Sequence, residues 1–257
     1  MSGRPLETSQ ADADDSSMRS TTNLEEIGLL LSGGIDSAVL LDQLLARGQQ
    51  VVPFYVRTGC VWENCELHAV ERFLAAVRRP GLIELVVLDT PLDDLYGGHW
   101  SISGIDVPDS TSPDAAVYLP GRNPLLLIKP MLWCWMHGIK HVALGTLESN
   151  PFRDATPEFF ALFEKMVQAA TGGHVQIVRP LERVPKRRVM EIGRHLPLGL
   201  TFSCLAPVNA RHCGRCNKCA ERRAAFHQVG VDDPTEYHEA LKADGVATAP
   251  LASNRAL

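Results

Sequence analysis

The stretch that decides the fold is Leu31-Ser32-Gly33-Gly34-Ile35-Asp36-Ser37, which joins an apolar run at residues 27–31 to an apolar-periodic segment at residues 37–47. A buried strand that ends in two glycines and restarts as a helix is built to hold an anion. Gly33 and Gly34 let the backbone turn without a Cβ and approach a phosphate closely. The helix behind them aims its unpaired N–H groups and positive dipole end at the same point. Ser32 and Ser37 add hydroxyl donors, and Asp36 is placed to orient a metal ion or to cap the helix. The spacing is neither a Walker A loop, which ends Gly-Lys-Ser/Thr, nor the Gly-x-Gly-x-x-Gly of a dinucleotide fold. The competing reading is a plain glycine-rich turn with an Asp/Ser cap.

Outward from this loop, strands and helices alternate. The pattern predicts strands at residues 51–56, 83–88, 141–144 and 175–178. It predicts helices at 63–77, 124–137, 157–170 and 185–195, the last with Pro185 in its first turn. Such alternation gives a doubly wound, mostly parallel α/β sheet covered by helices on both faces. Between residues 91 and 120 the periodicity fails and Gly, Pro, Asp and Ser accumulate, which marks a loop or lid near a substrate rather than a plain connector. Residues 145–154 read as a polar loop. From residue 201 the chain is rich in cysteine, with a final short helix expected at 234–242. The resulting division is an acidic segment at 1–26, the domain carrying the loop at 27–200, and a helical metal-binding segment at 201–257.

Composition bounds the partners. With 257 residues, of which 45% are hydrophobic and 21% charged, the chain suffices for one large domain and an appendage. The first 26 residues hold Glu7, Asp12, Asp14, Asp15, Glu25 and Glu26 against Arg4 and Arg19, four of the five net negative charges, and are expected to be disordered. The remainder is nearly neutral, so no basic field recommends a nucleic-acid partner. Local clusters at residues 186–188 and at Arg211, Arg215, Lys218, Arg222 and Arg223 read as solvated faces, or as the border of a phosphate or carboxylate site. No apolar run approaches the roughly 18 residues of a membrane span, and the acidic N-terminus is unlike a signal peptide. The expectation is a cytoplasmic protein with no membrane partner.

Cys204, Cys213, Cys216 and Cys219 stand eight, two and two residues apart, the last three as Cys-Gly-Arg-Cys-Asn-Lys-Cys. Two successive Cys-x-x-Cys steps let one tight loop offer three thiolates to a single cation. Cys204 closes the tetrahedron, which suits Zn²⁺. The alternatives are an iron–sulfur cluster and a disulfide framework, the latter disfavoured without a secretory signal. Neighbouring His212 is read as exposed, since four thiolates complete the site. Cys134, in an apolar helix, reads as core. Cys60 and Cys65 follow the second strand and read as structural, with a catalytic or redox pair as the alternative.

The loop resembles the Ser-Gly-Gly-x-Asp-Ser signature of the PP-loop ATP pyrophosphatases, which share the adenine-nucleotide alpha-hydrolase-like fold. With the cysteine cluster it is similar to the 7-cyano-7-deazaguanine synthase family of the queuosine pathway. Pro120-Gly121-Arg122-Asn123 before an apolar helix resembles a family segment. So do residues 180–193, with Lys186 at the family's lysine position, and residues 201–226, with Arg222 and Phe226 after the last cysteine. The chain departs from the family in two places. Tyr55-Val-Arg-Thr-Gly-Cys60 replaces a His/Tyr/Gln/Arg-rich stretch. Asn150-Pro-Phe-Arg-Asp-Ala-Thr156 replaces a Gly-Tyr-Pro-Asp-Cys-Arg run, keeping Asp154 alone.

The resemblance implies that ATP adenylates 7-carboxy-7-deazaguanine, that ammonia displaces AMP to give an amide, and that a second ATP activates the amide for dehydration to the nitrile, preQ0. Residues Leu31, Ser32, Gly33, Gly34, Ile35, Asp36 and Ser37 would bind ATP, with Asp36 also holding Mg²⁺. Lys186 and Arg122 would neutralise developing phosphate charge, and Asp36 and Lys186 would be catalytic. Asp154 would accept hydrogen bonds from the guanine-like edge, and zinc would be structural. Partners would be the deazapurine carboxylate and ammonia, with a homodimer compatible. The rival readings are a tRNA-thiolating or sulfur-transferring PP-loop enzyme using Cys60 or Cys65, another carboxylate-adenylating amidating ligase, and a non-catalytic nucleotide sensor.

Overall fold

The computed structural model describes residues 25–239. The disorder expected of residues 1–26 lies outside them except at Glu25 and Glu26, and Glu26 already opens the first strand. Five parallel strands, β1 (Glu26–Leu30), β2 (Gln50–Arg57), β3 (Val86–Asp89), β4 (His141–Ala143) and β5 (Gln176–Val178), form one sheet in the order β3-β2-β1-β4-β5. The eight α-helices among the described residues are α1 (Ile35–Ala46), α2 (Glu63–Ala76), α3 (Asp93–Tyr96), α4 (Trp100–Ser103), α5 (Arg122–Met136), α6 (Pro157–Thr171), α7 (Lys186–Ile192) and α8 (Asn217–Gln228).

Strand alternation sorts the core into two layers. Ile27, Leu29, Val51 and Tyr55 face one side, packing with Val39, Leu40 and Leu44 of α1, Val70 and Phe73 of α2, Val189 and Met190 of α7, and Phe226 of α8. Val52, Phe54 and Val142 face the other, against Leu127, Met131 and Cys134 of α5 and Phe160, Phe163 and Val167 of α6. Gly28 lets α5 approach the sheet. A Cβ there would stand 2.8 Å from both Cys134 Sγ and Phe54 Cε2. Cys134 is thus core, as expected, and burial pushes its thiol up to about 12.

A third cluster gathers Trp62, Val117, Leu119, Phe202, Leu205 and the four cysteines around Cys204. Because all strands are parallel, the loops after β1, β2, β4 and β5 emerge at one edge. Chain progression reverses between β1 and β4, so a crevice opens there, the place where ligands of open α/β sheets sit.

Three expectations are corrected. Strand β3 begins at Val86 rather than residue 83. Ile83 N–H still donates to Val51 C=O at 2.9 Å, but Pro53 has no N–H to offer, and regular pairing resumes only at Phe54↔Val86. The irregular stretch 91–120 contains α3, α4 and a 3₁₀ turn at Asp114–Val117. The helix expected at 234–242 is not formed over residues 234–239, where Tyr237 bridges to His212 instead; residues 240–242 lie outside the described residues. The C-terminal segment's helix is α8. It was not foreseen because its apolar face is carried by only a few side chains, Cys219, Ala225 and Phe226 among them.

Candidate active site

The glycine-rich loop lies at the switch point. Gly33 has φ +75°, and a Cβ on it would stand 3.1 Å from Glu66 Cγ and 3.3 Å from the Glu66 carbonyl oxygen, so glycine is required by conformation and by space. Gly34 precedes the first turn of α1. Ser37 Oγ donates to Gly34 C=O at 3.1 Å and lies 3.3 Å from Ser32 Oγ. Leu31 and Ile35 are buried in the core, so of these two only the main chain is available to a ligand. Gly145, after β4, completes the cradle. A Cβ there would be 3.2 Å from Ser37 N and would crowd the amides of the first turn of α1.

Lys186, at the first position of α7, donates from Nζ to Asp36 Oδ1 at 2.7 Å. Their side chains are 21% and 27% exposed, which separates this pair from the solvated Arg187 and Arg188 pairs with Glu191. Asp36 Oδ2 has no hydrogen-bond partner among the described residues. One carboxylate oxygen beside a phosphate cradle fits the way Mg²⁺ is bound, by one or two carboxylates plus substrate phosphates.

Two cavities meet at the loop. The first, about 270 Å³, is lined by Asp36, Ser37, Gly145, Thr146, Lys218 and Glu221 among others. The second, about 280 Å³, has aromatic walls, Trp62, Trp100, Tyr118, Phe152 and Phe202, with Glu66, Arg122, Asn123 and Asp154 among its polar groups. Ser32, Gly34, Asn150, Phe152 and Lys218 belong to both. Each cavity also presents a buried hydroxyl without a partner, Thr146 Oγ1 in the first and Ser203 Oγ in the second.

Arg122 opens α5 and sits in the second cavity, its guanidinium 5.7 Å from the Trp62 ring centre, away from Asp36 and Ser37. Asp154 is buried in the same cavity. Its Oδ2 accepts the Asn123 N–H at 3.1 Å, and its carbonyl accepts from Asn123 Nδ2 at 2.8 Å, tying the loop after β4 to the N-terminus of α5.

The four cysteines converge as the spacing requires. All are buried, their sulfurs lie within 4.8 Å of one another, and two pairs stand at 3.9 Å. Tetrahedral zinc, with Zn–S of about 2.3 Å, asks for sulfurs about 3.8 Å apart. Backbone N–H groups of Cys213 and Cys216 donate to sulfurs at 3.1 and 3.3 Å, as suits thiolates. The donor set therefore fits a four-sulfur metal site. Cys216 caps α8 and Cys219 lies in its first turn, so the cluster fixes the helix that carries Lys218 into both cavities. Buried Arg222 bonds Leu198 C=O, Thr201 Oγ1 and Thr235 Oγ1 at 2.8, 2.8 and 2.6 Å, locking the segment to the main domain.

His212 corrects the sequence reading. It is 6% exposed, packs on Phe202, accepts the Ser203 N–H at 3.2 Å, and is held neutral by burial and by the Arg222 charge, its pKa falling to about 3.

Several site residues were not found from sequence. Glu63 accepts from Thr58 N, Gly59 N and Arg57 Nε at 2.5, 2.7 and 3.0 Å, closing the loop after β2. Glu66 Oε2 accepts the Tyr55 hydroxyl at 2.8 Å. Lys218 Nζ donates to Glu221 at 2.5 Å. Burial raises the Glu221 carboxyl, but Lys218 and Lys186 outweigh it and leave the group below its ordinary value. An acid at the start of the helix after the second strand was the available signal for Glu63 and Glu66. Lys218 belongs to the basic cluster that the sequence leaves as a solvated face or the border of a phosphate or carboxylate site, and it borders both cavities. Cys60 is buried beside Thr58 Oγ1 and Cys65 is half-buried, and burial raises both thiols, the opposite of what a sulfur carrier needs.

Fold and site together define a nucleotide-binding α/β protein of the PP-loop type, with a cysteine cluster buttressing the loop. Compared with known proteins, residues 27–230 match the family described as Queuosine biosynthesis protein QueC. The 7-cyano-7-deazaguanine synthase of Pseudomonas fluorescens is 30% identical over 84% of this chain and 97% of its own. That of Pseudomonas aeruginosa is 31% identical over 84% and 99%. The chain belongs to the QueC family. Among solved structures, the NMN synthetase of Francisella tularensis aligns over 82% of this chain and 79% of its own at 13% identity and a TM-score of 0.44, too loose a superposition to bear on function. No helix among the described residues is long and apolar enough to cross a membrane.

Proposed function

We propose that this protein converts 7-carboxy-7-deazaguanine and ammonia to 7-cyano-7-deazaguanine at the expense of ATP, as a carbon–nitrogen ligase. The names of its relatives support the product. The observation that carries the reading is the junction of the two cavities: a phosphate cradle opens into an aromatic cavity fitted to a planar heterocycle, and Ser32, Gly34 and Lys218 border both. Adenylation requires that geometry, since an acid oxygen must reach the α-phosphorus while the pyrophosphate stays in the cradle. ATP supplies the leaving group that a charge-delocalised carboxylate lacks.

In this reading the Ser37 amide and the serine hydroxyls hold pyrophosphate. Asp36, steadied by Lys186, orients Mg²⁺, and Lys186 and Lys218 offset negative charge as it builds on the phosphates. Arg122 and Asp154 serve the acceptor, Asp154 through the oxygen not taken by Asn123. The four cysteines hold structural zinc, with no open ligand position. A small planar carboxylate rather than tRNA suits the near-neutral remainder of the chain. Incubation with ATP, ammonium and 7-carboxy-7-deazaguanine is expected to yield AMP, pyrophosphate and the nitrile by mass spectrometry. ADP as the main product, or no acid-dependent turnover, would reject it.

A further inference from the structure

One carboxyl group at the heart of the site has no role in the account above. Glu66 is the first carboxylate behind the nucleotide loop, its Cγ and carbonyl packed against Gly33, and it lines the acceptor cavity. Oε2 is fixed by the Tyr55 hydroxyl at 2.8 Å, while Oε1 has no hydrogen-bond partner among the described residues. Asp154, the other carboxylate of that cavity, is tied instead to the Asn123 amide at the start of α5. The two acids are thus differently attached, Glu66 to the loop where the acyl group meets phosphate and Asp154 to the helix at another wall.

The geometry points to Glu66 as the general base of the two nitrogen steps, a catalytic role that rests on the ligase reading above. In the amidation, the ammonia lone pair forms the C–N bond, the C–O bond to AMP breaks with its electron pair remaining on the phosphate oxygen, and the proton shed by nitrogen passes to Glu66 Oε1. In the dehydration, the amide oxygen leaves with AMP, nitrogen gives up its two protons in turn to the same oxygen, and the C–N triple bond forms. Solvent reloads the carboxylate between transfers.

The surroundings suit a proton acceptor working near neutrality. Burial raises Glu66 to about 7 and the Glu63 charge adds to the rise, while Arg122 and the Tyr55 hydrogen bond restrain it. These groups face it from β2, α2 and α5, and Asp154 and Lys218 line the same cavity.

The test compares the full-length protein with Glu66→Gln in three assays: acid-dependent ATP–pyrophosphate exchange, nitrile formation with ammonium across pH, and hydroxamate formation from hydroxylamine, which is neutral at working pH. Exchange involves no proton transfer from nitrogen and is expected to persist in the variant. Turnover with ammonium is expected to fall about 100-fold or more, the hydroxylamine reaction to fall less, and, with rates expressed per free NH3 so that the ammonium equilibrium drops out, the acidic limb of the wild-type profile to vanish. Glu66→Asp should keep that limb at reduced rate. Tyr55→Phe, which removes the restraining hydrogen bond together with the hydroxyl's 3.2 Å bond to Glu63 C=O, should move the limb to higher pH. Equal loss of exchange and amidation in Glu66→Gln, or amidation with an unchanged limb, overturns the role for Glu66 and leaves the ligase reading standing. Absence of exchange in the wild-type protein overturns both.

Discussion

A glutamate held in a half-dry cavity is a liability to the empty protein. Glu66 ionises near 7 when folded, above its ordinary value, because burial disfavours its charge. The folded chain therefore binds more protons than the unfolded chain across the window between the two values. Stability attached to this group is full below the unfolded value and is lost as pH rises through the folded one. Glu66→Gln is expected to raise Tm of the ligand-free protein at about pH 8 and to leave it little changed at about pH 5. An equal shift at both would mean that the carboxyl is not strained. Asp36 differs, being ion-paired and partly exposed. Asp36→Ala should lower AMP-forming turnover about 100-fold or more while costing only about 1 kcal/mol in a denaturation midpoint. Near-normal turnover would remove Asp36 from the phosphate machinery.

Helix α8 joins the cysteine cluster to the two cavities, since Cys216 at its N-cap and Cys219 in its first turn flank Lys218. Elemental analysis should find about one zinc per chain, and Cys216→Ala should lose it together with solubility or near-ultraviolet dichroism, as metal binding and local folding are one event. Iron with acid-labile sulfide in the native protein, or a soluble, fully active variant, would contradict this. Elements with strong periodicity were legible in the sequence, α1, α5 and α6 to within a residue or two at each end. The loop and the four cysteines were legible too, because their chemistry is written in adjacent residues. Helix α8 was not, because its inward face is short and is carried by few apolar side chains. Strand β3 was displaced by Pro53 on a different strand, a non-local cause. Glu66 and Gly145 escaped for the same reason: each becomes part of the site only when an element from elsewhere in the chain is laid against the loop.

At the scale of the molecule, residues 201–239 pack as part of the main body. Ala225 and Phe226 of α8 share the core layer of Leu41 and Val189, and Arg222 is buried on bonds to Leu198 and Thr201. Phe202 N–H donates to Gly33 C=O at 2.8 Å, so the backbone just ahead of the cysteines is stitched directly to the anion loop. That single bond has a temporal meaning. Residues 31–37 leave the ribosome well before Phe202, which braces them. A nascent or clipped chain that stops short of Phe202 has residues 31–37 and Gly145 but not the bond that braces them. Such incomplete products are expected to be idle toward ATP, sparing the cell futile hydrolysis while synthesis is under way.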